Sequence, residues 1–138
     1  MTPKGTIDKK TFSEARSAMS LVYILITIVL TVYGQLIVKW QVNLAGEFPS
    51  EVWDKVMFLG KLMLNPWVIS SMVAALLASF TWIAALTQLQ LSYAYPFMGL
   101  TFVLVLLLSG LFFQETISWF KISGVILIVT GISLSSQG

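Results

Sequence analysis

The chain of 138 residues has no cysteine and no histidine. Disulfides, thiol catalysis and Cys/His metal sites are excluded with them. Charge is scarce as well: 10% of the residues are Asp, Glu, Lys or Arg, with a net charge of +2. The lysines lift the sequence pI to about 9.0, yet they are too few for a nucleic-acid footprint. Across residues 62–114, a run of 53, there is no charged side chain at all. A soluble domain must wet its surface and cannot hide such a run. Helices built from it have no buried carboxylate with which to carry protons. The chain also lacks a Walker or dinucleotide loop, a carboxylate pair on one helix and a nucleophile beside a base. No enzyme chemistry, cofactor or metal is therefore expected.

What is present is apolar: 57% of the residues are hydrophobic and the mean hydropathy is +0.89. At this length the chain is one small domain. A bilayer needs about 20 apolar residues per helical crossing, so the charge-free run holds two crossings. Aromatic residues make up 13% of the chain, and several sit near the ends of apolar runs, as membrane interfaces favour.

Residues 1–17 are polar and mixed in charge, with Lys4, Asp8, Lys9, Lys10, Glu14 and Arg16, and read as an N-terminal tail. The first span is expected at residues 18–39. That run is too long for a signal-peptide core, and no small-residue cleavage site follows it at once. Residues 41–50 read as a polar loop with Gly46 and Pro49. In residues 51–64, Glu51, Asp54, Lys55 and Lys61 gather on one side of a helix and Val52, Val56, Leu59 and Met63 fill much of the rest. This predicts an amphipathic segment at the membrane interface. Asn65-Pro66 reads as an N-cap with proline at the first helical position. Further spans are expected at residues 66–86, 92–113 and 119–134. The result is an all-α membrane protein of four transmembrane helices in an up-down bundle.

Lysines and arginines orient such bundles. Lys4, Lys9, Lys10 and Arg16 lie on one side, and Lys39, Lys55, Lys61 and Lys121 on the other. Four against four leaves two arrangements open: a cytosolic N-terminus set by the first cluster, or insertion both ways with antiparallel self-pairing.

Candidate binding residues come from polar groups inside the apolar helices. Thr31, Gln35 and Lys39 follow at steps of four and share a stripe spanning about 80°. In lipid such groups face another helix or a wet cavity, unless the threonines bond back to their own carbonyls and Lys39 snorkels to the interface. Tyr95 precedes Pro96, whose missing N–H loosens the helix, and bent helices often line transporter sites. Tyr93 suits an interfacial tyrosine belt. Glu115 is a lone acid in a turn, where the next helix's N-terminal dipole favours it. Gly124 and Gly131, Ala74 and Ala78, and Gly34 are small residues of the kind that let helices approach.

These residues resemble a known pattern. The turn Gln114-Glu115-Thr116 followed by Gly124 and Gly131 on one helix resembles the closing motif of the drug/metabolite transporter superfamily. Gly34-Gln35 with Lys39, and Ala94-Tyr95-Pro96, resemble the four-helix branch near the small multidrug resistance proteins. Within it they are most similar to the paired subunits that flip undecaprenyl-phosphate-linked aminoarabinose. Two departures separate the chain from multidrug exporters. Thr31 stands where the resemblance would put the exporters' membrane glutamate, and Met98 where it would put their drug-stacking tryptophan.

The resemblance implies a flippase or flippase subunit for a polyprenyl-phosphate-linked sugar in the bacterial inner membrane. Lys39 would hold the phosphate, while Thr31, Gln35 and Tyr95 would bond the sugar. It also implies a dimer, either antiparallel with itself or with a homologous four-helix chain, because four helices are few for an alternating-access path. Two alternatives stay open: an exporter of cations or metabolites from the same superfamily, and a non-transporting subunit that stabilises a glycosyltransferase or sister transporter.

Overall fold

The computed structural model describes residues 8–138, and all its regular elements are helices. Residues 1–7, Lys4 among them, lie outside the described residues. The helices are α1 (Lys9–Ala45), α2 (Val52–Met63), α3 (Pro66–Leu86), α4 (Leu91–Met98), α5 (Leu100–Phe113) and α6 (Trp119–Ser135). Three stretches are long and apolar enough to cross a membrane: α1, α3, and α4 with α5 taken together; α6 is a shorter apolar helix.

Helix α1 runs past both ends of the span expected from the sequence. Asp8 caps it, accepting from the Lys10 N–H at 3.3 Å, so most of the polar tail forms its first turns. At the other end, the loop expected from residue 41 starts only at Gly46, whose φ of 88° ends the helix. Residues 41–45 contain neither Gly nor Pro. Apolar character is lost at Lys39, while the helix itself continues to the first residue able to adopt a positive φ cheaply. The 37 residues of α1 span ~55 Å, well beyond the ~30 Å of a bilayer core.

Helix α3 starts as the Asn-Pro pair predicts. Asn65 Oδ1 accepts from the Trp67 N–H at 2.9 Å, and Pro66 occupies the first turn, where no N–H is missed. The Asn65 Nδ2 also donates to Gln41 Oε1 at 3.0 Å, tying the buried Gln41 of α1 to the head of α3. Replacing Asn65 with alanine removes the cap and the tie together. It is expected to cost about 1–2 kcal/mol, measurable as a lower melting temperature in detergent, whereas Asn65→Asp should keep the cap and lose only the tie.

Helices α1 and α3 pack along most of their length. Ile24, Ile28 and Val32 of α1 and Ala85 of α3 are buried together with Ala94 of α4. Ala74 and Ala78 are buried as well, and a methyl added at Gly34 would lie 3.4 Å from the Ser71 carbonyl oxygen. The small residues thus bring these two backbones close. The third span is interrupted at Gly99. Pro96 supplies no N–H, and the Gly99 N–H turns to the Pro96 carbonyl at 3.0 Å, a tighter turn than the α-helix allows. A Cβ at Gly99 would collide with the Ile132 side chain of α6. Helix α6 itself has no buried residue.

Candidate functional site

The interruption at Gly99 and the close α1–α3 pair leave an open cavity of about 1210 Å³ between α1, α3 and the α4–α5 span. Lys39, Gln35 and Thr31 of α1 line it, as does Tyr95 of α4, so four of the candidate residues share one space. Gly34, Ala78 and Pro96 also line it. The wall is mostly apolar: Leu30, Met72, Phe102, Val105 and Ile132 supply much of it.

The threonines take the local option. Thr31 Oγ1 donates to the Thr27 carbonyl at 2.7 Å, and Thr27 Oγ1 lies 2.8 Å from the Tyr23 carbonyl while sharing a 2.7 Å bond with Thr81 Oγ1 of α3. Thr31 therefore presents only spare acceptor capacity to the cavity. Gln35 is exposed there and forms no hydrogen bond to another described residue. Its amide is free for a ligand. Tyr95 is exposed and meets Trp82 edge-on, with ring centroids 6.1 Å apart.

Lys39 is the one cation lining the cavity among the described residues. Its Nζ lies 3.3 Å from Glu115 Oε1, with the two side chains 47% and 37% exposed. Glu115 does not line the cavity. It sits in the α5–α6 turn, which the left-handed Gln114 (φ 52°) opens, and faces Lys39 at the cavity mouth. An ion pair this exposed is worth at most about 1 kcal/mol, so an incoming anion can replace Glu115 at little cost.

The other candidates lie elsewhere. Tyr93 packs on Phe97 at 5.4 Å and does not line the cavity. Gly124 and Gly131 meet nothing: a Cβ at either has no neighbour within 4 Å. Their small-residue face has no partner helix among the described residues. Sequence reasoning passed over Ser71, Ser79, Trp82 and Thr101, which also line the cavity. Thr101 carried a readable signal, since it is the one hydroxyl between Tyr95 and Ser109. Among the described residues no cluster of three acidic side chains could hold a metal.

The sequence is similar to those of several bacterial membrane-transport subunits. It is 35% identical over 113 residues to a probable 4-amino-4-deoxy-L-arabinose-phosphoundecaprenol flippase subunit ArnE of Aeromonas hydrophila, covering 82% of this chain and 93% of that one. It is 28% identical over 116 residues to the ArnE protein of Pseudomonas aeruginosa, covering 84% and 96%. It is 33% identical over 117 residues to a probable 4-amino-4-deoxy-L-arabinose-phosphoundecaprenol flippase subunit ArnF of Photorhabdus laumondii, covering 82% and 93%. No family model and no solved structure matches the chain.

Proposed function

The chain belongs to the family of 4-amino-4-deoxy-L-arabinose-phosphoundecaprenol flippase subunits, and on that premise we propose that it carries a polyprenyl-phosphate-linked sugar across the bacterial inner membrane as one subunit of a dimer. In this reading α1, α3, α4–α5 and α6 cross the bilayer in up-down order, while α2 lies in the interface. The second subunit is a homologous four-helix chain or an antiparallel copy of this one.

The observation that carries the proposal is the ion pair at the mouth of a mostly apolar, open cavity. A lipid phosphate can take Lys39 from Glu115, exchanging one anion for another. The sugar named for the relatives bears an amine, and Glu115, once released, is a carboxylate for it. The paired charges thus match a zwitterionic head group. The apolar wall suits the polyprenyl chain, which stays in lipid between the helices. Thr31 and Gln35 are the head-group contacts beside Lys39 in this reading, and Tyr95, farther along the cavity, is a contact met later in the passage. The uncharged middle of the helices argues against proton exchange through a buried carboxylate.

One feature favours the second reading, export of a cationic solute: the Trp82 and Tyr95 rings lining the cavity could take a cation on their faces. A single assay separates the two. In proteoliposomes loaded with polyprenyl-phosphate-linked aminoarabinose, head groups of the inner leaflet should become accessible to externally added periodate at a rate above that of protein-free vesicles. No acceleration, with or without a co-reconstituted homologous subunit, together with uptake of a cationic dye, would replace the flippase with an exporter.

A further inference from the structure

The buried hydroxyls of the helices have partners, with one exception. Ser20 bonds the Arg16 carbonyl, Thr27 the Tyr23 carbonyl and Thr81, and Ser71 the Val68 carbonyl. Thr101 Oγ1 is the one buried side-chain polar atom without a partner among the described residues. The residue is 8% exposed and lines the cavity.

The cause is local. A threonine inside a helix normally bonds the carbonyl three or four residues back. Thr101 is the second residue of α5, and its third and fourth predecessors, Met98 and Phe97, belong to α4, across the interruption at Gly99. An unpaired hydroxyl in a membrane interior is costly, so it calls for a group that the described residues do not supply.

Its depth points to that group. From Thr101 to Phe113, beside the Glu115 turn, α5 rises about 18 Å. From Thr27 to Lys39, α1 rises by the same ~18 Å. Thr101 therefore lies near the middle of a ~30 Å bilayer core, too far from Lys39 for one small head group to touch both. Among the described residues, no charged side chain lines the cavity at this depth. A lone hydroxyl, donor and acceptor at once, suits a neutral sugar hydroxyl better than a phosphate. Thr χ1 has two accessible wells in a helix, so the hydroxyl can turn to the cavity without moving backbone.

We propose that Thr101 is a second binding residue, a mid-membrane hydrogen-bonding station for the hydroxyls of the sugar after the head group has left Lys39. The assignment rests on the flippase reading. It is tested by binding to the purified protein in nanodiscs, followed by tryptophan fluorescence, with two probes: farnesyl phosphate, and farnesyl phosphate bearing 4-amino-4-deoxy-L-arabinose. Thr101→Val should weaken binding of the sugar-bearing probe roughly 3- to 10-fold and leave farnesyl phosphate unchanged. Thr101→Ser should stay close to wild type. The melting temperature of Thr101→Val should not fall, because the change deletes an unsatisfied hydroxyl; a purely structural role would lower it. Unchanged binding of both probes, or equal weakening of both, overturns the assignment. Lys39→Ala reports on the flippase reading separately, since it should weaken both probes. A wild-type protein that binds neither probe sinks that reading, and the Thr101 station with it.

Discussion

Lys39→Glu is expected to bring transport of the lipid-linked sugar down to the rate of protein-free vesicles, and Lys39→Ala to lower it about 30-fold or more. Lys39 is the one cation lining the cavity among the described residues, so nothing else there can replace its charge against a phosphate. A hydrogen bond between charged groups contributes on the order of 1.5–3 kcal/mol, which sets the size of the effect. The glutamate variant goes further because it puts a second carboxylate beside Glu115, where the pair now stands at 3.3 Å.

Folding should be nearly untouched by these changes. The pair is about half exposed and contributes at most ~1 kcal/mol. Transport and melting temperature should therefore part company: a large loss in the first and a shift of a few degrees at most in the second. Glu115→Gln is the companion variant. It leaves the cation free, so binding of a plain lipid phosphate should hold or tighten, while preference for an amino sugar over a neutral one should shrink. Wild-type transport by Lys39→Ala would remove Lys39 from the path of the phosphate.

Much of this arrangement is legible in the sequence, and the parts that are not have a common cause. The charge-free run and the Asn65-Pro66 start follow from local rules, since bilayer thickness and helix capping act on neighbouring residues. The stripe Thr31, Gln35, Lys39 is legible because a step of four keeps residues on one helix face, and all three line one cavity. Tyr95 is legible through Pro96. The end of α1 is obscured because apolar character is lost at Lys39, while the backbone stays helical until Gly46. The Lys39–Glu115 pair joins positions far apart in sequence, so only the packing of α5 beside α1 reveals it. Thr101 escaped a search for stripes because it is a single hydroxyl. Its significance depends on an unmade bond, which only the break at Gly99 explains.

If the proposed dimer forms through α6, Gly124→Leu with Gly131→Leu is expected to abolish co-purification with a second subunit and to lower transport at least 10-fold, while the chain itself stays folded. The two glycines are seven residues apart, within about 20° of one face of α6. Outside their own helix backbone and chain neighbours, no atom of the described chain lies within 4 Å of a Cβ at either position, so a leucine side chain there starts into open space. It also replaces the weaker helix former. Leucine is as apolar as a lipid tail. If only lipid covers this face, the double variant should behave as wild type, which makes the outcome decisive. A helix packed on the glycines would be pushed away by two leucine side chains, because small residues are what permit close backbone approach. The rest of α6 supports a missing neighbour: no residue of the helix is buried, and Trp119 and Phe120 are 80% and 91% exposed. Its contact with the rest of the chain includes Ile132 against Gly99, at the break that positions Thr101. A partner seated on the glycine face would thus press α6 toward the cavity wall. Pairing and substrate passage would then meet in one helix, and the double variant should lose both together.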